Sequence, residues 1–580
     1  MVKRLFPYLK PYKKYVILAP ICMLLEVGSE LITPKLMTIL IENGVGQNNT
    51  AYITGLGILM FFIAIIGIIG GVGCLYCAVN ASQRAGNDIR RDLFKKIESF
   101  SFHNIDHFKT PSLITRLTND ITQIQMVVQM SLRMLIRAPL LCIGSIFMAF
   151  TINAKLTLIF FGAMVVLGFV LFLILRYAMP YFSIMQTKLD KVNTVMRECL
   201  AGIRVIKAFV RGDYEIEKFQ KVNRDYKATS IRAFGVMISI IPAMMMIINC
   251  AIVAILWMGA HQVQLGVNNP EDIMALITYL NQMMMSLMMA GMMLVFFSRA
   301  FVSLQRIFEV IDHEVDIKDP ETEVLPEHAQ GKVQFSHVTF RYQNGTGDAV
   351  LEDIDFTAKP GETIAILGET GSGKTTFVSM IPRLYDATKG AVYVDDVNVK
   401  DYNLHDLRKK VAIVLQDTIL FSGTIRDNIK WGKEDATEEE VIAAAKAAQA
   451  HDFIMELPDQ YDTELGQRGV NVSGGQKQRI SIARALIQDP DILIFDDSTS
   501  ALDNVTEKKL QHSLKVFRPN CTKFIIAQRI SSVMHADRIF VLNGGKIVAS
   551  GQHEELLKTS PDYQEIYASQ NKRLTIKSQV

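Results

Sequence analysis

Residues Gly368-Glu369-Thr370-Gly371-Ser372-Gly373-Lys374-Thr375 read GxxxxGKT. A short apolar run, Thr363 to Leu367, precedes them, and a helix-compatible run, Thr376 to Leu384, follows. In such a turn the glycines let backbone N–H groups wrap phosphate oxygens. Lys374 reaches the outer phosphates, and the Thr375 hydroxyl is a ligand for Mg²⁺. The metal's second protein ligand should be an Asp that closes a later apolar strand. Ile492-Leu493-Ile494-Phe495-Asp496 supplies it in Asp496. Between the two lies Asn471 to Arg479, in which Ser473-Gly474-Gly475-Gln476 opens a helix. The start of that helix is a second anion-binding end. These spacings point to nucleoside triphosphate chemistry.

The elements around these residues are α/β in type. Lys332 to Arg341 alternates like a strand, and Asp312 to Gln330, with Pro320 and Pro326, reads as a linker. Before Ser298 the composition changes. The 580 residues are 49% apolar and 21% charged, and the mean hydropathy is +0.21. That average hides two unlike halves. A helix needs about 20 apolar residues to cross about 30 Å of hydrocarbon. Six stretches qualify: Val16 to Ile41, Ala51 to Val79, Leu132 to Ile152, Leu156 to Leu175, Val236 to Ala260 and Ile273 to Phe297. Lys and Arg concentrate in the N-terminal stretch, in Asn80 to Met130 and in Tyr177 to Gly235. They are absent near Asn48 and from His261 to Asp272. By the positive-inside rule both termini and both long loops are cytoplasmic. Those loops keep helical periodicity, so the spans should continue into the cytoplasm. A wholly soluble enzyme, a pure membrane bundle, a disordered chain and a disulfide scaffold are excluded. The net charge of +3 gives no argument for nucleic acid.

Several residues within the spans could meet a ligand. Glu26 and Glu30 share one helix face at i, i+4. They read as a cation or proton site in a translocation path, as a buried polar contact with another helix, or as residues placed near the outer interface. Thirteen of the 28 methionines fall between Met237 and Met293. Met245, Met285 and Met289 are candidates for an adaptable cavity wall, with lipid-facing or core filler as the other reading. Gly67 and Gly71 form a GxxxG, expected at a close helix contact. Cys74 and Cys77 have CxxC spacing without a second ligand pair, and read as apolar filler.

Taken together, these motifs resemble the ATP-binding cassette exporters over nearly the whole length. The resemblance implies an α-helical six-span transmembrane domain (1–311), a linker (312–331) and an α/β P-loop ATP-binding cassette domain (332–580). It implies ATP and Mg²⁺ as cofactors and ATP hydrolysis coupled to transport. It places Tyr342 against adenine, with Gly368 to Thr376 on the phosphates. Thr375, Asp496 and the Q-loop residue Gln416 are placed at Mg²⁺. Ser473, Gly474, Gly475 and Gln476 match the signature, with Val472 where Leu is usual, and Ser500-Ala501-Leu502-Asp503 match the D-loop. In this family one cassette's P-loop is closed by the other's signature, which implies a dimer.

Two positions depart from the pattern. Asp497 stands where the family has the general base Glu, and Gln528 where it has the switch His. Asp is one methylene shorter, and about 1 Å of misplacement can cost about 100-fold. Gln can hydrogen-bond but cannot carry a proton at neutral pH. Such a chain resembles the degenerate-site subunit of bacterial heterodimeric multidrug exporters. The implied partners are a second, different half-transporter, with a plain homodimer as the alternative, the lipid bilayer and a lipophilic small molecule. The implied location is the bacterial cell membrane, multi-pass, with both termini cytoplasmic. The cytosolic tips near Asn104 to Ser112 and Arg211 to Glu215 are expected to dock on cassettes. A dedicated lipid or peptide exporter, and a nucleotide-binding regulatory membrane protein, are the alternative readings.

Overall fold

The computed structural model describes residues 2–266, 268–324, 326, 330–342, 349–499 and 502–577. Two compact units partition the chain: Met1–Lys96 with Pro111–His313, and Ile97–Thr110 with Glu314–Val580.

In the first unit, six helices of the described residues are long and apolar enough to cross a membrane. They are Phe6–Val45, Thr50–Glu98, Thr110–Ile152, Ala154–Ala201, Gly212–Gln264 and Pro270–Gly291. At 1.5 Å per residue, the 49 residues of Thr50–Glu98 reach about 74 Å, more than twice the hydrocarbon thickness. The helices therefore extend beyond the apolar stretches, as their periodicity predicts. Pro20, Pro34, Pro139 and Pro180 lie inside them. Pro34 frees the Glu30 carbonyl, and Gln282 Nε2 from another span donates to it at 3.2 Å, the kind of cover that makes proline tolerable there.

The break between Ile152 and Ala154 is built by Asn153. Its extended backbone stops one helix, and its side-chain oxygen accepts the Leu156 N–H to start the next. Its amide donates to Gln262 at 2.7 Å and to Asn268 at 2.9 Å, which pins the turn to a neighbouring helix end.

Phe160, Leu167, Ile248, Ile255, Leu276, Leu280, Met283 and Met284 belong to one apolar cluster of this unit. A second seam joins the first two spans. A Cβ on Gly67 would sit 2.2 Å from Ser29 Oγ, and one on Gly70 would sit 2.7 Å from the Cys22 carbonyl oxygen and 2.8 Å from the Glu26 nitrogen. Gly71 faces the Glu26 carboxylate instead, at 3.3 Å. The closest approach thus runs through Gly67 and Gly70. Cys74 and Cys77 are buried on the same seam with Ala19, Met23 and Val27.

The second unit is the nucleotide half. Its six-stranded sheet runs in the order Lys546–Gly551, Arg538–Asn543, Thr363–Gly368, Thr522–Ile526, Ile492–Asp496, Val411–Val414. Only the first pair is antiparallel. The parallel strands are almost wholly buried, which is why they read as continuous Ile, Leu, Val and Phe rather than as alternating runs. A four-stranded antiparallel sheet contains Val333–Phe340, the strand that leads into Tyr342.

The helix after the P-loop is shorter than its apolar run. It spans Lys374–Ser379. Pro382 lacks an N–H and restricts Ile381, and the chain tightens into i→i+3 turns from Met380 onward.

The segment Ile97–Thr110 packs with this unit. Its helix Phe102–Phe108 is started by a capping box between Ser101 and Asn104. Asn104 also donates to Asp316 at 2.9 Å.

The Gly70 contact makes a direct prediction. Gly70→Val must separate the first two spans and should cost on the order of 1–3 kcal/mol, read as a lower melting temperature of the purified protein in detergent. Gly168→Ala, in a helix interior where a Cβ meets nothing within 4 Å, should not lower it.

Candidate nucleotide site

Parallel strands bring their carboxyl ends to one edge, where ligands of such sheets bind. Three of those ends build the site. Thr363–Gly368 delivers the P-loop, Ile492–Asp496 delivers Asp496, and Thr522–Ile526 leads two residues further to Gln528.

Gly373 has φ +97°, and a Cβ there would lie 2.8 Å from the Val350 carbonyl oxygen. Only glycine fits, so the turn can close over the helix start. Lys374 Nζ donates to the carbonyls of Gly368 (2.9 Å) and Glu369 (2.6 Å), folded over the loop that should hold phosphates. Burial lowers its pKa below the usual lysine range, against the pull of Asp497, Asp496 and Glu369. The Ser372 N–H donates to the Glu369 carbonyl at 3.2 Å, while the buried Ser372 hydroxyl makes no hydrogen bond within the chain. Thr375 Oγ1 donates to Asp496 Oδ1 at 3.0 Å. Asp496 is buried, and burial raises its pKa while the Thr375 hydrogen bond opposes this.

Asp497 takes a left-handed backbone, φ +47°, which aspartate tolerates better than most residues. Its Oδ2 accepts from Gln528 Nε2 at 2.8 Å and from Gln416 Nε2 at 3.3 Å. Burial raises its pKa, and the Gln528 hydrogen bond is the largest opposing influence. Thr370, Gly371, Gly373, Lys374, Thr375, Thr376, Gln416, Asp496, Asp497 and Gln528 line one cavity of about 210 Å³, together with Val350 and Ile526. Tyr342 reaches its rim, where its hydroxyl shares a hydrogen bond with Thr376 Oγ1 at 3.0 Å.

The signature is not among these lining residues. Ser473 caps the helix Gly474–Ile487 and forms a capping box with Gln476. Ser473 and Gly474 are exposed. An exposed helix N-terminus with two glycines can present N–H groups outward to an anion. Ser500 and Ala501 of the D-loop lie outside the described residues. Asp503 caps the helix Asn504–Phe517.

In the membrane unit Glu26 and Glu30 meet Arg137 of the third span. Arg137 forms an ion pair with Glu26, and its Nη2 lies 2.9 Å from Glu30 Oε2. Glu26 Oε2 makes no hydrogen bond within the chain. Sequence reading missed this partner, although an Arg inside an apolar span was itself a signal. Met245 and Met285 are exposed, Met289 is half-buried, and Met283 and Met284 are core. The methionines therefore divide between faces.

A parallel sheet carrying a P-loop, joined to six membrane-crossing helices, defines a nucleotide-driven membrane transporter. Residues 16–287 match the family model of the ABC transporter transmembrane region, and residues 351–500 match the family model described as ABC transporter. The chain is 41% identical over 569 residues to YfiB, an uncharacterized ABC transporter ATP-binding protein of Bacillus subtilis (strain 168), covering 98% of both chains. It is 33% identical to a protein of Staphylococcus aureus (strain NCTC 8325 / PS 47) described as a candidate multidrug export ATP-binding/permease protein, covering 98% of this chain and 100% of that one. A solved bacterial Atm1-family ABC exporter with ATP bound shares the fold, with TM-score 0.79, 24% identity and coverage of 96% of this chain and 98% of that one. The chain belongs to the ABC transporter family. It is a multi-pass membrane half-transporter with the exporter fold, and its ATP-binding domain marks it for ATP hydrolysis coupled to transport.

The ion triad gives the next prediction. Removing only Arg137 leaves two carboxylates in apolar surroundings, so Arg137→Ala should cost on the order of 3–5 kcal/mol. The triple variant Glu26→Gln, Glu30→Gln, Arg137→Gln should cost far less. Melting temperatures of the two purified proteins check this; equal losses would argue against a mutual ion pair.

Proposed function

We propose that this chain is one half of a heterodimeric bacterial exporter of lipophilic, drug-like compounds, and the half whose own ATP site is catalytically impaired. The transmembrane domain is residues 1–311, followed by a linker to 331 and the cassette from 332 to 580. The chain lies in the plasma membrane with both termini in the cytoplasm, in keeping with the Lys and Arg distribution.

The observation that carries the proposal is the state of Asp497 and Gln528. The P-loop, Asp496 and the signature are all present. Yet the general-base position holds a shorter acid, and the switch position holds an amide that donates to that acid at 2.8 Å. A donor bound to Asp497 is not a proton shuttle. Binding parts are kept while the proton-handling parts are weakened. ATP would be held by Gly368 to Thr376, with adenine against Tyr342. The oxygen donors Thr375 and Asp496, already within 3.0 Å of each other, fit a hard cation such as Mg²⁺, with Gln416 as a third ligand. Bound there, the metal would neutralise phosphate charge. ATP held this way would act as a long-lived clamp, and turnover would occur at the partner's P-loop, completed by Ser473 to Gln476 of this chain.

Dimer formation also has surfaces to use. The second cytosolic tip exposes Val205, Phe209 and Val210. The cassette carries a groove of about 510 Å³ whose lining includes Leu415, Ile419, Phe421 and Trp431. Each tip would seat in the partner's groove. For the substrate, the carboxylates Glu26 and Glu30 are the groups that would attract a cation, and exposed Met245 and Met285 with Met289 suit varied apolar shapes.

Two experiments test the proposal. In an assembly whose partner P-loop lysine is replaced, Asp497→Glu with Gln528→His should raise ATPase on the order of 10–100-fold. No rise would remove the impaired-site reading. In inside-out vesicles of the intact assembly, Glu26→Gln with Glu30→Gln should lower uptake of cationic dyes and spare neutral ones. Equal loss for both would remove the cation preference, and no ATP-dependent uptake of any dye would remove the transport reading.

A further inference from the structure

Tyr385 belongs to none of the nucleotide motifs, yet it touches both the nucleotide side and the segment Ile97–Thr110. It follows the P-loop helix and precedes the strand Lys389–Val394. On one side its ring meets Tyr342 edge-on, with centroids 5.4 Å apart and planes at 87°. On the other side its hydroxyl donates to Asp106 Oδ2 at 3.0 Å, and its ring lies 6.2 Å from Phe102. Phe102 and Asp106 both belong to the helix Phe102–Phe108, which Asn104 ties to Asp316. Phe340 backs both tyrosines, at 4.8 Å from Tyr342 and 5.6 Å from Tyr385. Edge-to-face contacts are directional, so fixing the plane of one ring restricts the next.

We propose that Tyr385 is a positioning residue that transmits nucleotide occupancy from Tyr342 to the helix Phe102–Phe108. A base stacked on Tyr342 fixes that ring. Tyr342 then fixes the edge of Tyr385, and the Tyr385 hydroxyl holds Asp106. Hydrolysis is not required, so a site with weak proton-handling groups still reports whether it is filled. The inference rests on the placement of adenine at Tyr342 proposed above.

The test uses the full-length chain assembled with its partner in lipid nanodiscs. Amide hydrogen exchange is followed in the peptide covering Ser101 to Lys109, with and without Mg²⁺ and the non-hydrolysable analogue AMP-PNP. Affinity at this chain's own site is read by photolabelling with 8-azido-ATP, resolved chain by chain. In the unaltered protein AMP-PNP should slow exchange by about 5-fold or more. Tyr385→Phe should lose most of that difference, and Tyr385→Ala all of it, with photolabelling affinity changed by less than about 2-fold. Asp106→Asn added to Tyr385→Phe should lose nothing further, because the two act as one contact. If exchange rises equally with and without nucleotide in the Tyr385 variants, the residue only braces the fold and the proposal fails. It fails also if the nucleotide effect survives Tyr385→Ala. Tyr342→Ala separates the underlying reading: unchanged photolabelling would overturn the adenine placement itself, whereas reduced photolabelling with intact signalling in the Tyr385 variants would overturn only the relay.

Discussion

The turn from Gly368 to Lys374, shaped to offer backbone N–H groups to phosphate, sets the requirements that the rest of the cassette meets. That turn needs a strand ending at Gly368, a left-handed residue at Gly373 and a helix starting at Lys374. The parallel sheet supplies the strand and, beside it, the ends that carry Asp496 and lead to Gln528. A phosphate cradled on one side still presents charge on the other. The groups suited to that second side, Ser473 and Gly474, are exposed and absent from the cavity that the P-loop lines. In the proposed reading the chain makes two complementary half-sites rather than one whole site, and association would follow from that geometry.

The membrane unit meets a different constraint. Charged groups in hydrocarbon are costly unless paired. Glu26, Glu30 and Arg137 pair with each other across the first and third spans, with Glu26 Oε2 left without a hydrogen bond. The glycines Gly67 and Gly70 bring the second span close to the same helix face. Packing and charge therefore meet in one place, around Glu26. Arg133 lies one turn from Arg137 on the same helix and acts on the same neighbourhood as Glu26, so positive charge is not confined to one guanidinium.

The cassette was legible in the sequence because its chemistry fixes residue types at fixed spacing. A GxxxxGKT after an apolar strand has few other uses, and the distant Asp496 falls at the end of a buried strand by the same logic. The six spans were legible from length alone. What could not be read depended on contacts between distant residues. Arg137 lies 111 residues from Glu26, and no periodicity links them. The Met-rich spans divided into core and exposed faces only once their neighbours were known. Local rules also competed: the apolar run to Leu384 suggested a longer helix, and Pro382 ended it early. Tyr385 carries no motif, so its contact with Asp106 became visible only in three dimensions.

The central claim is that this chain holds ATP while a different chain turns it over. Vanadate trapping tests it most directly. The transporter is purified through a tag on this chain, incubated with labelled 8-azido-ATP, Mg²⁺ and orthovanadate, then irradiated and resolved chain by chain. Without vanadate both chains should be labelled. After trapping and washing, the account predicts that vanadate-dependent label stays on a second, different chain and not on this one. Equal trapping on this chain, or an active assembly made only of two copies of it, would contradict the account.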